Sequence, residues 1–132
     1  MVKNNNVNVI RKNKFVKHTV NGLFRFVILW IIKYNGQIHG YSIMKKLDLF
    51  FENLIEDGAV KESTPSKVYP ILKDMEDYGL IKGFSKAKGN KKITYYQITD
   101  EGVMFLDYLF ESFLLHEKNP NWKLLFDDLS SE

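Results

Sequence analysis

The sequence predicts a mainly α-helical fold that carries one small β-hairpin. Apolar residues recur at three- and four-residue spacing in four stretches, which is the periodicity of amphipathic helices. Between residues 80 and 99, two strand-like runs flank a Gly-Asn pair, which is the pattern of a hairpin. The chain has 132 residues, of which 45% are apolar, and this is enough for one domain with a buried core.

Two helices are predicted in the first 54 residues. The first covers residues 19–34, with Thr19 or Asn21 as its cap, and the second covers residues 41–54. Residues 1–18 are rich in Asn and Lys, and we interpret them as a basic, flexible arm that either adds positive charge to a binding surface or is only a frayed terminus. The predicted core faces are Leu23, Phe26, Val27, Trp30 and Ile31 in the first helix, and Ile43, Met44, Leu47, Phe50 and Phe51 in the second.

A third helix is predicted after a solvent-facing loop over residues 56–62. It begins at Ser63, Thr64 or Ser66, because Thr64 is followed by Pro65 in the order that starts helices, and it ends at Gly79. Its predicted buried face is Val68, Ile71, Leu72, Met75 and Tyr78.

A lysine-rich hairpin follows this helix directly. Its strands are predicted over residues 80–85 and 92–99, and no acid lies between Asp77 and Asp100. A short helix followed by a basic hairpin is what a winged helix-turn-helix domain needs, and we predict that fold for residues 19–99. The alternative is a β-turn whose lysines serve only solubility. The hairpin lysines are Lys82, Lys86, Lys88, Lys91 and Lys92.

The chain carries its charge in blocks. Residues 1–47 hold nine Lys or Arg and no acid, residues 63–98 have a net charge of +4, and residues 99–132 have a net charge of −6. This segregation favours a molecule with one positive side that binds a polyanion, although two solvated faces would give the same pattern.

Several function classes find no support in the sequence. There is no cysteine, and the three histidines are scattered, so no metal-ligand spacing is present and no cofactor is expected. His39 is expected instead to make a polar contact that braces the start of the second helix. No catalytic constellation is recognisable, and an enzyme is not predicted. The longest apolar run, residues 26–32, is much shorter than the roughly 20 residues of a membrane span, so we expect no membrane association and a cytoplasmic location.

The last third of the chain is predicted to be a helical dimerisation segment, residues 100–132. Thr99 caps a helix whose first turn is acidic, which suits the positive end of the helix dipole. A short final helix is predicted in the tail that contains Trp122. The apolar stripe of the long helix is predicted to form a homodimer seam, or alternatively to pack only on its own domain; its members are Val103, Leu106, Leu109, Phe110 and Phe113.

A DNA-binding surface is predicted on the third helix and the hairpin. The helix would enter the major groove, while lysines of the hairpin would contact phosphates. Tyr69 could instead pack its ring on the domain and offer only its hydroxyl. The predicted DNA-binding residues are Ser66, Lys67, Tyr69, Lys73, Lys86, Lys88, Lys91 and Lys92.

Four motifs, in order and over about residues 23–115, resemble the PadR family of transcriptional regulators. They are IHGYSI at residues 38–43, VYPIL at 68–72, YGLI at 78–81 and YYQITDEG at 95–102. The resemblance implies a winged-helix, DNA-binding homodimer, usually a repressor, whose C-terminal helix carries the dimer interface. Some relatives bind small aromatic molecules between subunits; Trp30 and Trp122 would suit such an effector, and they would equally suit a plain core.

The chain departs from the family pattern at two points. Ser66-Lys67 and Val68 stand where the family usually has a small Gly-Thr pair, and the hairpin contains no Arg. Lysine offers a point charge to phosphates rather than the forked donors that read guanine. We therefore expect the hairpin lysines to contact phosphates and not to read bases. For the whole chain we expect a sequence-specific regulator of transcription that binds double-stranded DNA, with a winged-helix protein-interaction module as the alternative.

Overall fold

The computed structural model consists of helices and a small antiparallel sheet, and it describes residues 14–114, 117 and 119–131. Among these residues a two-residue strand lies between the first helix and the second, and a hairpin separates the fourth helix from the fifth. A π-helical turn, Phe110–Leu114, continues the fifth helix. This arrangement confirms the predicted mainly helical fold with a small hairpin. The elements are α1 (Lys14–Asn35), β1 (Ile38–His39), α2 (Gly40–Phe50), α3 (Glu52–Glu56), α4 (Pro65–Asp77), β2 (Ile81–Lys88), β3 (Lys91–Ile98), α5 (Asp100–Leu109) and α6 (Pro120–Ser130).

Helix α1 begins at Lys14, earlier than predicted, so the predicted caps Thr19 and Asn21 lie inside it. The apolar repeat extends backwards because Val16 packs against the core and Val20 is buried. The Thr19 hydroxyl donates to the Phe15 carbonyl at 2.9 Å, which is a bond within the helix and not a cap. The first 13 residues of the predicted arm lie outside the described residues, and the remainder of the arm belongs to α1.

The core is built around α1. Its predicted face is partly wrong, because Leu23 and Trp30 are exposed whereas Phe24 is buried. A helix that is apolar on almost every side gives no sharp periodicity, and packing decides which side turns inward. The same core cluster contains buried residues of α2, α4 and α5, including Ile43, Leu47, Val68, Leu72 and Leu106.

By length and composition alone, α1 could cross a membrane, with a mean hydropathy of 1.4 over 18 residues. This result differs from the sequence-based prediction that no segment could span a membrane, because that prediction considers only uninterrupted apolar runs. The helix contributes six buried side chains to the core of the domain, however, and carries Arg25 in its middle. Both features are typical of the central helix of a globular domain.

Helix α2 is capped by His39, whose Nδ1 accepts a hydrogen bond from the Ser42 amide at 3.3 Å. This confirms the predicted role of His39 at the start of that helix. The predicted second helix is interrupted at Phe51, and the short α3 begins at Glu52. The following loop is not fully solvent-facing as predicted, because Ala59 and Val60 are buried.

The sheet has three strands, in the order β1-β3-β2, and all neighbours are antiparallel. The sequence predicts the hairpin but not β1, since a two-residue strand is too short to give a periodic signal. Strand β1 pairs Ile38 with Tyr96, which ties the start of α2 to the hairpin. The tip is a two-residue turn in which Gly89 has φ +63°, a conformation that favours glycine.

Helix α5 is joined tightly to the end of α4. The Thr99 hydroxyl accepts from the Gly102 amide at 3.0 Å, as a predicted cap should, and it donates to the Gly79 carbonyl at 2.6 Å. A side chain at position 102 would collide with the Leu80 carbonyl. The final helix α6 is present as predicted, but none of its residues is buried.

Candidate nucleic-acid interface

Ser63 fixes the start of α4 against α2. Its amide donates to Asp48 Oδ1 at 2.9 Å, and its hydroxyl donates to the Met44 carbonyl at 3.2 Å. Helix α4 then begins with Thr64 at its cap position and Pro65 in its first turn, as predicted. The two hydrogen bonds of Ser63 hold the first turn of α4 in place relative to α2, which is the relationship that a helix-turn-helix requires.

One side of α4 is buried and the other is available to a ligand. Val68, Ile71, Leu72 and Met75 are buried, as predicted, but Tyr78 is 78% exposed and does not belong to the core. Tyr78 caps the C-terminal end of the helix, where the chain turns at Gly79, so its ring falls outside the packed face. The predicted DNA-binding residues Ser66, Tyr69 and Lys73 lie on the exposed side.

Lys67 is held back against α1. Its ammonium nitrogen lies 4.2 Å from the centre of the Phe24 ring, and the side chain is half-buried. Burial lowers the pKa of Lys67 below its ordinary value, and the nearby charge of Lys17 lowers it further, while Asp48 acts in the opposite direction. Burial thus disfavours the charged form of Lys67, whereas a negative charge nearby favours it.

Tyr69 packs its ring on the start of α2. A Cβ added to Gly40 would lie 2.8 Å from Tyr69 Cζ, so the ring covers the glycine, yet 42% of the residue remains exposed. Of the two predicted roles for Tyr69, packing on the domain is confirmed, and the exposed part of the ring still faces solvent.

A groove of about 590 Å³ lies between the start of α2, Tyr69 of α4 and strand β3 of the hairpin. We call the hairpin formed by β2 and β3 the wing. The groove contains the start of α2, the Tyr69 ring and residues of β3, so it brings α4, which is the third predicted helix, and the wing onto one surface. The groove is lined by His39, Gly40, Tyr41, Tyr69, Lys92, Ile93, Thr94 and Tyr96.

Tyr96 lies at the bottom of this groove. It is 6% exposed, and burial raises its pKa, with smaller contributions from Glu76 and Tyr69 in the same direction. The phenol is therefore neutral at physiological pH, and it forms a polar floor for the groove.

The strand register divides the hairpin lysines between two faces of the sheet. Cross-strand partners share a face, so the pair Lys88 and Lys91 lies with Lys82 and Lys86, while Lys92 lies on the opposite face with Tyr96. Within the described part of the chain, the side chains of Lys88, Lys91 and Lys92 form no ion pair or hydrogen bond. Lys86 differs, because it donates to Gln37 Oε1 at 2.7 Å.

Two acidic residues near the end of α4 form ion pairs. Asp74 forms an ion pair with Arg25 of α1 at 3.3 Å, and Asp77 forms one with Lys73 at 3.7 Å. Lys73 is highly exposed, so this second pair is weak and easily exchanged for another anion.

Comparisons with known proteins agree with this geometry. Residues 28–107 match the family described as the transcriptional regulator PadR-like family. This chain belongs to the PadR-like family. A comparison with curated proteins gives no match.

Solved structures of PadR-like proteins share its fold. A PadR-like transcriptional regulator from Bacillus cereus is 25% identical, with a TM-score of 0.65 over 87% of this chain and 99% of the other. A transcriptional regulator from Clostridium thermocellum is 23% identical, with a TM-score of 0.60 over 79% and 92%. The structure of Bacillus subtilis PadR in complex with operator DNA is 28% identical, with a TM-score of 0.50 over 66% of this chain and 45% of the other.

The predicted dimer seam of this PadR-like regulator is only partly available. Leu106 is buried in the core of its own chain, so it is a packing residue, and Val103 and Leu109 are half-buried. Phe110 and Phe113 are each about half exposed. Three exposed apolar residues of α5 are not among those predicted for the seam; they are Met104, Phe105 and Tyr108. The exposure of Met104 and Tyr108 follows from the burial of Leu106, because they lie on the opposite side of the helix.

The two tryptophans considered for an aromatic effector lie in different clusters. Trp30 stacks on Tyr34 with ring centres 5.0 Å apart and meets Phe50 edge-on. Trp122 stacks on Phe126 within α6. These contacts do not bring the two tryptophans into one pocket.

Proposed function

We propose that this PadR-like regulator binds double-stranded DNA in a sequence-specific manner and acts as a homodimeric repressor inside the cell. The observation that carries the proposal is the groove in which Tyr69 of α4 and Lys92 of the wing line one continuous surface. A duplex needs both elements on the same side, because its major groove and the adjacent phosphates are contacted together.

Different residues of this surface have different roles. Ser66 and Lys67 lie in the first turn of α4, the part of a reading helix that is nearest to the bases. Tyr69 offers its hydroxyl to a phosphate beside the groove, and Lys73 adds a cation farther along the helix. Their contacts determine where the protein sits on the duplex and part of what it reads.

The wing tip supplies affinity that does not depend on sequence. Lys88, Lys91 and Lys92 have no partner among the described residues, and they crowd around a two-residue turn. Phosphates relieve the repulsion between them, and each neutralised phosphate releases counterions. Lysine makes single point contacts, so the wing is expected to distinguish bases poorly.

Relatives support the same conclusion. Bacillus subtilis PadR has been observed with operator DNA, and its resemblance to this chain covers 66% of the chain's residues. Family membership also supports action within the cell, where transcription takes place.

A homodimer explains the exposed apolar side chains after residue 103. Phe110 and Phe113 lie in the π-helical turn and are each about half exposed, and Leu109, which directly precedes them, is half-buried beside α1. Pairing would bury these residues and place two α4 helices on a two-fold symmetric site.

The test is selection of bound duplexes from a random pool by the purified protein. The expected result is an enriched inverted repeat whose half-sites are separated by about one helical turn, roughly 10–10.5 base pairs. Enrichment of a single half-site would contradict the homodimer. Failure to enrich any sequence, with no retention of duplex DNA, would contradict DNA binding and favour a winged-helix protein-interaction module.

A further inference from the structure

Lys86 is the one wing lysine in the described structure with both a hydrogen-bonded partner and aromatic contacts. Its ammonium nitrogen lies 2.7 Å from Gln37 Oε1, 5.2 Å from the centre of the Tyr95 ring and 5.5 Å from that of Phe84. The two rings are cross-strand partners that stack on the same face. The side chain therefore runs along the sheet towards its base, away from the tip.

Gln37 belongs to a different part of the domain. It lies in the turn between α1 and β1, where its amide donates to the Asn35 carbonyl at 2.9 Å. Its side-chain nitrogen also lies 3.5 Å from Gln97 Oε1 on β3. Lys86, Gln37 and Gln97 thus join both strands of the wing to the turn that leads into the helix-turn-helix.

We infer that Lys86 is a positioning residue, which fixes the angle of the wing, and is not a phosphate contact. The inference rests on the proposed DNA-binding function and changes one predicted member of its site. Lys86, Gln37, Tyr95 and Phe84 together form a brace for the wing, and phosphate binding is left to Lys88, Lys91 and Lys92.

Physical reasons make such a brace useful. A two-stranded hairpin is only marginally stable by itself, and this one carries lysines that repel one another at its tip. A cation above aromatic rings and a hydrogen bond to a charged donor are each modest in exposed positions, but together they oppose bending of the wing. A wing that is already oriented loses less conformational freedom when it meets DNA.

The first experiment compares Lys86→Met with Lys88→Met in duplex binding at several salt concentrations. Both variants lose one charge from the same strand. Lys88→Met should reduce the slope of log affinity against log salt by about 0.9, because one phosphate contact is lost. Lys86→Met should weaken binding about five-fold at fixed salt but leave most of that slope. An equal reduction of the slope in both variants would overturn the inference.

The second experiment needs no DNA and measures amide hydrogen exchange across residues 81–98. Lys86→Met and Gln37→Ala should each accelerate exchange in the wing. The double variant should exchange little faster than either single variant, because both substitutions remove the same hydrogen bond between Lys86 and Gln37. Lys82→Met is the matched control, because Lys82 lies on the same face of the same strand without a described partner. If Lys86→Met and Lys82→Met gave the same exchange, the brace would not exist.

The two experiments separate the two proposals. A wild-type protein that showed no salt-dependent binding to any duplex would refute the proposed function. The exchange measurement would still decide whether Lys86 and Gln37 hold the wing.

Discussion

The Tyr69 ring lies over the Cα of Gly40, close enough that a Cβ at position 40 would stand 2.8 Å from Tyr69 Cζ and 2.9 Å from Cε1. Gly40 is therefore needed for close approach and not for an unusual turn, because it is not among the described glycines with positive φ. In our proposal α4 reads DNA, and the contact of the Tyr69 ring with Gly40 sets the distance of α4 from α2.

Gly40→Ala should destabilise the fold by about 1–3 kcal/mol, the usual effect of overpacking. The cost should largely disappear in a Tyr69→Ala background, where the ring that meets the new methyl group is absent. Thermal unfolding of the four proteins in this cycle measures the coupling.

Gly22→Ala is the matched control for that cycle. Gly22 lies inside α1 with nothing within 4 Å of its added Cβ, so alanine should stabilise the protein by about 0.5–1 kcal/mol. If the stability losses of Gly40→Ala and Tyr69→Ala simply added in the double variant, the Tyr69 ring would not rest on Gly40 in solution.

Substitution of Ser66 or Lys67 by Ala should change the preference between DNA sites. Each lost base contact is expected to alter discrimination by about 1–3 kcal/mol at the affected base pair. Competition binding with single-base variants of the selected site measures this change. Lys88→Ala is the comparison, because a phosphate contact weakens binding to every duplex alike. Equal losses on all duplexes for Ser66→Ala and Lys67→Ala would identify them as phosphate contacts as well.

Leu109→Glu and Phe113→Glu should convert the protein to monomers of 15.5 kDa in sedimentation experiments. A carboxylate buried in an apolar seam without a partner is strongly unfavourable. Leu49→Glu is the control for Phe113→Glu, because Leu49 is likewise exposed and apolar but lies on α2, outside the proposed seam. An intact dimer in both seam variants would place the interface elsewhere.

Tyr96 should ionise late in an alkaline titration followed by tyrosinate absorbance. Because burial, Glu76 and Tyr69 raise its pKa above the ordinary value of 10.0, the folded protein keeps the phenolic proton at pH values where the unfolded chain loses it. The resulting contribution to stability is fully present below pH 10.0 and is lost as the pH rises through the raised pKa. Tyr96→Phe should remove the late component.

Tyr34→Phe provides the control for this titration, since Tyr34 is 74% exposed and its removal should leave the late component in place. A titration of Tyr96→Phe that matched the wild-type curve at its alkaline end would show that Tyr96 is not the late group.

The sequence predicts those elements whose signals are local. Thr64-Pro65, Gly79 and Thr99 mark helix ends correctly, because caps and positive-φ glycines act over a few residues. The Gly-Asn pair likewise marks the turn between β2 and β3. These features require no knowledge of what packs against them.

The errors arise where tertiary packing decides the outcome. The sequence assigns Trp30 and Leu23 to the core because α1 is apolar on nearly every side, and only the neighbouring helices determine which side is covered. The strand β1 has two residues and exists because β3 lies beside it. Charge alone groups Lys86 with the other wing lysines, because the sequence does not reveal that its ammonium reaches Gln37.

The junction at Thr99 has a consequence for how such a protein could be switched. Thr99 bonds to the turn after α4, and Gly102 lies against the Leu80 carbonyl with no room for a methyl group. Helix α5 and strand β2, which follows α4, are therefore held rigidly together. In the proposed homodimer, a small tilt of α5 at the subunit interface would move each α4 helix with it, and so would alter the distance between the two α4 helices without any change in the structure of either DNA-binding domain.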